Sequence, residues 1–161
     1  MEKLKTEIKW GCIFTAVMLI WMAFERMMGW HGEQIEQHAM MSMIFAVFAV
    51  GIYILALLDK RNNHLNGSMT WSQGFVSGFW ITMVVVVLSP LAQLLTHTII
   101  TPDFFDNMSA YATESGMMSR KDAASYFSLK SYLIQSTGGA LALGIVTSAI
   151  VAIFTKKKDQ Q

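Results

Sequence analysis

Four long segments of the chain carry no charged side chain. They are residues 10–24, 39–58, 65–102 and 131–155, so all 12 Lys and Arg and all 11 Asp and Glu lie in the rest of the 161-residue chain. The helices of a soluble domain need a polar face toward water, and charges are normally spread along that face. Segments of this length without a charge therefore predict helices in lipid, and they exclude an ordinary cytosolic domain.

Helical geometry sets the bounds of the predicted membrane spans. A helix of about 20 residues crosses a hydrocarbon core of about 30 Å. Segments 39–58 and 131–154 have this length, and a third span over 71–99 begins after a capping box, Thr-x-x-Gln at 70–73. The first uncharged segment is too short, so its span is extended to 10–30, which puts a Trp at each interface. Because no small-x-small cleavage site follows it, we expect a retained span rather than a signal peptide.

The residues between the third and fourth spans predict a helical segment outside the membrane. Thr101-Pro102-Asp103 is typical of a helix start, and Gly116 is typical of a helix end. Ser119 and Asp122 then predict a second helix start, and this helix is expected to continue without a break into the fourth span. The predicted fold is therefore all-α, with four transmembrane helices and a helical extracytoplasmic segment at 101–130.

The basic residues beside the spans predict the orientation of the chain. With four spans, both termini share one side, which would hold eight Lys and Arg against four on the other. The eight are Lys3, Lys5, Lys9, Lys60, Arg61, Lys156, Lys157 and Lys158, and the four are Arg26, Arg120, Lys121 and Lys130. Residues 1–161 thus predict a single four-helix membrane domain with both termini in the cytoplasm.

The amino-acid composition limits the kinds of partner that the protein is expected to bind. Hydrophobic residues make up 53% of the chain and charged residues 14%, against about 25% charged in a typical soluble domain. A net charge of +1 provides no basic surface for nucleic acid. We therefore expect the lipid bilayer, and a second copy or other membrane proteins, as partners, without nucleic acid and without a cofactor.

Short runs spread over the chain carry a resemblance to a known family. They are Glu25-Arg26, Gly29-Trp30-His31, LALLDKR at 55–61, Gln73-Gly74-Phe75, Ser89-Pro90, Ile100-Thr101-Pro102 and YFSLKSY at 126–132. With them the chain resembles a family of bacterial membrane proteins, found mainly in Bacteroidetes, that is catalogued as domain of unknown function 4199. The resemblance implies a small multi-span inner-membrane protein with no assigned activity, so it transfers no functional residues.

Glu25 is the charge that the spans accommodate least easily. The extended first span places it inside the outer end of a membrane helix, and an ionisable residue there is a functional candidate. Its partner is expected on another helix, with His97 or Lys130 as candidates, and His97 could relay protons with Gln93 and Glu25. The alternative is that Glu25 and its neighbour Arg26 extend to the outer surface and have a structural role only.

Four residues of metal-ligating types lie close together after the first span. They are His31, Glu33, Glu36 and His38, and zinc could use two His and one Glu. If this segment is helical, however, the two histidines lie about 10 Å apart, which is too far for one ion. The sequence therefore predicts solvated loop residues here and no metal site.

Small residues recur at helical spacing on the last two spans. They are Gly74 and Gly78 on the third span, and Ser136, Ala140, Gly144, Ser148 and Ala152 on the fourth. Small residues at this spacing let helices in a membrane approach closely. We expect them to pack helices of one molecule together, with a dimer interface as the alternative.

Three functions remain open from the sequence. The first is a non-enzymatic assembly or binding component that presents its extracytoplasmic helices to partners. The second is a small transporter or channel subunit with a polar path along Glu25, His97 and the helix break at Pro90. The third is a membrane-embedded hydrolase around His31 and His38.

Overall fold

A computed structural model describes residues 4–157 of the chain, and helices form most of this part. Lys3 and Lys158, which entered the orientation prediction, lie outside the described residues. The helices are α1 Lys5–Met27, α2 His38–Ser42, α3 Phe45–His64, α4 Trp71–Leu95, α5 Phe104–Glu114, α6 Arg120–Tyr126 and α7 Leu129–Thr155. A short 3₁₀ turn, Ile35–Gln37, precedes α2, and a π-helical turn, Thr96–Ile100, follows α4.

Within residues 4–157, four helical stretches are long and apolar enough to cross a membrane. They are Lys5–Met27, Ile35–His64, Trp71–Ile100 and Leu129–Thr155. They confirm the predicted all-α fold and the predicted number of membrane-type helices. The second stretch contains the 3₁₀ turn, α2 and α3, so it is longer at its N-terminal end than the predicted 39–58.

The first helix ends earlier than the sequence analysis placed it. It stops at Met27, and Gly29 then adopts a positive φ of 80° that a residue with a side chain rarely takes. The backbone N–H of Gln34 donates to the carbonyl of Gly29 at 2.9 Å, which closes a tight turn. Trp30 and His31 therefore lie in this turn instead of continuing the helix.

Three predicted helix termini, two starts and one end, are confirmed. Thr70 N–H donates to the Gln73 side chain at 2.8 Å, and Gln73 N–H donates to the Thr70 hydroxyl at 3.2 Å, which is a complete capping box. Gly116, with a φ of 72°, follows the end of α5. The Ser119 hydroxyl caps α6 by accepting from the backbone N–H of Asp122 at 3.2 Å.

The expected continuous helix from Ser119 into the fourth span is wrong. The chain leaves the helical conformation at Phe127, whose ψ is 70°, and α7 begins two residues later. The break has a packing reason, because it lets the ring of Phe127 join a buried cluster with Ala112 and Ala123. Ser128 then starts α7, since its hydroxyl accepts from the backbone N–H of Ser131 at 3.4 Å.

The helix expected to start at Thr101-Pro102-Asp103 also begins later. Helix α5 starts at Phe104, and the side chain of the residue before it, Asp103, forms no capping hydrogen bond. The carbonyl of Thr101 accepts instead from the backbone N–H of Phe104 at 3.3 Å. A turn therefore precedes the helix and brings the Phe104 ring into the protein.

The described chain divides into two compact units. The first contains the residues up to Thr15, Val47–Leu88, and the residues from Gly138 onward, and the second contains Ala16–Ala46 and Ser89–Thr137. The core of the first unit consists of Tyr53, Ala56, Leu57, Met69, Ile81, Val151 and Ala152.

Glycines make the helix contacts of the first unit close. A Cβ placed on Gly74 would lie 3.2 Å from the Cβ of Ala152, and one placed on Gly78 would lie 2.7 Å from the Cβ of Ser148. Gly144 lies against Thr82 in the same way. Ala140, the second small residue of the series on α7, is half-buried. Gly74, Gly78, Gly144 and their neighbours thus lie where α4 and α7 meet within this unit.

Aromatic rings organise the second unit. Its buried cluster of Ala112, Ala123 and Phe127 is covered by Phe105, Met108, Met118 and Tyr132, which come from α5, the loop before α6 and the start of α7. The ring of Phe105 lies 5.0 Å from that of Tyr132 and 5.7 Å from that of Phe104, centroid to centroid. This packing fixes α5, and with it the position of Phe104.

Candidate functional site

A fully buried carboxylate forms the centre of the second unit. The side chain of Glu25, near the end of α1, has no exposed surface. Its Oε1 accepts hydrogen bonds from the indole N–H of Trp21 at 2.6 Å and from the hydroxyl of Ser42 at 2.7 Å. Its Oε2 lies 2.8 Å from Nε2 of His31 and 3.5 Å from Nδ1 of His38. We call these five residues the Glu25 cluster.

Local structure brings the cluster together. Trp21 and Glu25 lie four residues apart on α1 and therefore share a face. The glycine turn after α1 folds His31 back over the end of that helix. His38 and Ser42 are also four residues apart, on α2, and their side chains lie 3.3 Å from each other. Each side chain of the Glu25 cluster thus reaches its position through a spacing of four residues on a helix or through the glycine turn.

Phe104 forms an apolar wall beside the cluster. Its ring is 2% exposed, and its centroid lies 5.1 Å from the ring of His31 and 4.9 Å from that of His38. The side-chain amide of Asn107, one turn further along α5, donates to the carbonyl of His31 at 2.9 Å. Helix α5 therefore both shields the histidines from water and fixes the turn that carries His31.

Among the described residues, the charge of Glu25 has no permanently charged partner. Within residues 4–157, neither a Lys nor an Arg forms an ion pair with it, and its ionic contacts are with His31 and His38. The adjacent Arg26 donates instead to the carbonyl of Ile99 at 3.4 Å. A negative charge on Glu25 is therefore balanced by a proton on a histidine or by a bound cation.

The structure gives Glu25 different partners from those expected. His97 is buried in the π-helical turn, and its Nε2 lies 3.0 Å from the side-chain oxygen of Gln93. Lys130 is exposed at the start of α7. In the described part of the chain, neither residue contacts Glu25. His97 nevertheless lies near the cluster, because its ring centroid is 5.2 Å from that of Phe104, the ring that His31 and His38 also contact.

The expected separation of about 10 Å between the two loop histidines is wrong. The ring centroids of His31 and His38 are 5.0 Å apart. A separation of about 10 Å applies only if the segment between them is helical. Turns occupy this segment until α2 begins. Glu33 and Glu36 are exposed, and the carboxylate that joins the histidines is Glu25. The glycines at 29 and 32 on either side of Trp30-His31 are the signal in the sequence that could have indicated this turn.

A polar cavity borders the cluster on the His31 side. It has a volume of about 270 Å³, and its lining includes His31, Arg26, Glu33, Asp103 and Asn107. His31 is the residue shared by the cavity and the Glu25 cluster. The cavity therefore reaches the cluster at His31, and Glu25 itself does not line it.

A second buried carboxylate, which the sequence analysis did not single out, lies in the first unit. Glu7 is 2% exposed, and its Oε1 accepts from the hydroxyl of Ser77 at 2.7 Å and from Nζ of Lys60 at 2.8 Å. Asp59 of the same unit is likewise paired with Lys9 and accepts from the indole of Trp10 at 2.6 Å. Both carboxylates have a lysine as partner, which distinguishes them from Glu25.

The described residues contain four helices suited to a membrane, and these define an all-helical protein of the membrane type. A buried carboxylate with two histidines is its candidate site. The chain belongs to the family described as protein of unknown function DUF4199, whose model matches residues 9–157. The match confirms the resemblance seen in the sequence and covers nearly the whole chain. No curated protein and no solved structure shows significant similarity to it.

Proposed function

We propose that this protein is a non-enzymatic binding component of a bacterial inner membrane, and that the Glu25 cluster is its binding site for a cation. The observation that carries the proposal is the complete burial of a carboxylate that lacks a Lys or Arg partner among the described residues. A buried charge costs several kcal/mol when its partners, such as neutral histidines, carry no opposite charge, and ionisable groups in membrane helices mark functional sites. A bound cation would remove this cost.

The orientation predicted from the basic residues is part of the proposal. Both termini lie in the cytoplasm, and α5 and α6 lie on the outer side, where α5 covers the Glu25 cluster through Phe104. A fluorescent protein fused after Gln161 should fluoresce, and alkaline phosphatase inserted at Gly116 should be active, because the enzyme matures only outside the cytoplasm. Active phosphatase after Gln161 together with inactive phosphatase at Gly116 would reverse the orientation.

The proposed partners follow from the surface of the helices. Large apolar side chains on α7 are exposed, among them Leu143, Val146 and Phe154, with exposed fractions of 70%, 54% and 79%. A lipid bilayer would cover such side chains, as would a second copy or another membrane protein. Nucleic acid is not among the proposed partners, since a net charge of +1 offers it no basic surface.

Cation binding should raise the thermal stability of the purified protein. The probes are the chlorides of Na⁺, Mg²⁺ and Zn²⁺, added to EDTA-treated protein in detergent. A cation that binds only the folded state stabilises it by about 2.7 kcal/mol at 100 times its Kd. We expect at least one of these cations to raise the Tm of the wild type and not that of Glu25→Gln.

The matched control is Glu36→Gln, which removes an exposed carboxylate eleven positions further along the chain. It should respond to each cation as the wild type does. If all three cations leave the wild-type Tm unchanged, or if the response survives Glu25→Gln, the cluster does not bind a cation and the proposed function is wrong.

The second candidate is a small transporter or channel subunit that uses Glu25 and His97 near the outer face. The polar cavity beside His31 and the location of His97 in a π-helical turn favour it, because such turns are frequent at functional sites. The two candidates differ in flux through proteoliposomes. A flux of the bound cation that Glu25→Gln abolishes supports the transporter, and binding without flux supports the binding component.

A further inference from the structure

We propose that Glu25, His31 and His38 together bind one divalent transition-metal ion of the zinc type. The inference rests on the proposed function, because it specifies the class of cation that the Glu25 cluster binds. In residues 4–157, these three form the one group of His, Cys, Asp or Glu whose ligand atoms meet, all lying within 4.8 Å of one another.

The distances suit a shared ion. Tetrahedral zinc with bonds of about 2.0–2.2 Å separates its ligand atoms by about 3.4 Å. The distance between Glu25 Oε2 and His38 Nδ1 is 3.5 Å, long for a hydrogen bond but close to this separation. The distance between Glu25 Oε2 and His31 Nε2 is 2.8 Å, so this pair would widen by about 0.6 Å as the ion replaces the hydrogen bond.

The carboxylate is already oriented for ligation through one oxygen. Trp21 and Ser42 both donate to Oε1, and this leaves Oε2 facing the two imidazoles. Metal sites characteristically hold their ligands in place through such outer hydrogen bonds. The side-chain amide of Asn107 donates a hydrogen bond to the carbonyl of His31 and so holds the backbone of this ligand in place.

The ligand types select the class of metal. Mg²⁺ and Ca²⁺ prefer oxygen ligands, whereas two imidazoles with one carboxylate suit Zn²⁺ and its first-row neighbours. Three protein ligands also leave a fourth position for water or for another ligand. The polar cavity that reaches His31 offers a route by which the ion could enter.

Zinc binding can be measured directly on the full-length protein. The protein is purified in detergent with an affinity tag that contains no histidine, stripped with EDTA and titrated with ZnCl₂. We expect one zinc per chain by equilibrium dialysis with elemental analysis. Glu25→Gln, His31→Gln and His38→Gln should each weaken binding by about 100-fold or more, since loss of an outer-shell partner alone costs about 10–100-fold.

Two variants serve as matched controls. His64→Gln and Glu36→Gln remove an exposed histidine and an exposed glutamate outside the cluster, and both should bind zinc as the wild type does. Of the three substitutions, His38→Gln should disturb the fold least, because this side chain is 17% exposed and His38 lies in a helix of five residues. It therefore separates the loss of a ligand from misfolding. Its helix content and elution volume should match those of the wild type.

Co²⁺ adds a readout of the coordination itself. Cobalt bound in place of zinc with four ligands should give intense visible absorption bands, and His38→Gln should lose them. Failure of the wild type to bind zinc at one ion per chain overturns the inference. Zinc binding that all three cluster substitutions leave intact also overturns it.

The inference and the proposed function can fail separately. If Na⁺ or Mg²⁺ raises the Tm in a manner that requires Glu25 while zinc does not bind, the metal assignment is wrong and the cation site stands. If none of the cations binds, both are wrong. Stoichiometric zinc binding that requires all three ligands supports both.

Discussion

Replacement of Glu25 by Leu is expected to lower the free energy of unfolding by about 3 kcal/mol. Leu fills a similar volume but accepts no hydrogen bond. The indole N–H of Trp21, the hydroxyl of Ser42 and the imidazole of His31 would all lose their acceptor in a buried site. Each orphaned buried polar group costs about 1–3 kcal/mol, and removal of the buried charge offsets part of the sum.

Glu25→Gln separates the hydrogen bonds from the charge. Its amide oxygen can still accept from Trp21 and Ser42, so we expect a loss of about 1 kcal/mol, much smaller than that of Glu25→Leu. Equilibrium unfolding in mixed micelles with increasing SDS would measure both variants. The exposed Glu36→Leu should stay within about 0.5 kcal/mol of the wild type. A Glu25→Leu protein as stable as the wild type would show that these hydrogen bonds do not stabilise the second unit.

The membrane-type helices could be predicted because each apolar residue of a segment adds to its total hydrophobicity, whatever the rest of the fold is. An apolar segment of about 20 residues satisfies its backbone only as a helix in lipid, whatever its neighbours are. The capping residues around Thr70 and Ser119 act within one turn, so their hydrogen bonds were also predictable. Both kinds of prediction need no knowledge of the tertiary structure.

The Glu25 cluster could not be predicted in this way. Its geometry depends on the left-handed conformation of Gly29, which turns His31 back toward α1. A periodic pattern contains no information about such a turn, and the assumption of a helix placed the two histidines about 10 Å apart. Apart from Trp21 on the same helix, the partners of Glu25 therefore come from the turn and from α2, which follow it directly in the chain, and not from the more distant His97 or Lys130.

The break before α7 was missed for a related reason. No glycine or proline marks Phe127, so the local sequence favours a continuous helix there. The burial of its ring beside Ala112 and Ala123 favours the break. Tertiary packing outweighs local helix propensity at such a position, because propensity differences amount to less than about 1 kcal/mol per residue, whereas burying a Phe ring contributes about 1.5–3 kcal/mol.

Substitution of Gly78 by Leu should destabilise the protein by about 3 kcal/mol or more. A Cβ at this position would lie 2.7 Å from the Cβ of Ser148 and 3.2 Å from its Cα, so the backbones of α4 and α7 would have to separate. Overpacking of a close contact costs about 1–3 kcal/mol, and more where the backbone must move. Equilibrium unfolding with SDS in mixed micelles would measure the loss.

Gly138→Leu provides the matched control on α7. In residues 4–157, no atom lies within 4 Å of a Cβ placed there, and Leu is a better helix former than Gly by about 0.8 kcal/mol, so this variant should be as stable as the wild type or more so. The pair also tests the dimer alternative for the small residues. If Gly78→Leu keeps the stability of the wild type and only reduces the size of the complex in detergent, these residues serve contacts between copies. A loss of stability that appears at every protein concentration instead shows that they pack α4 against α7 within one chain.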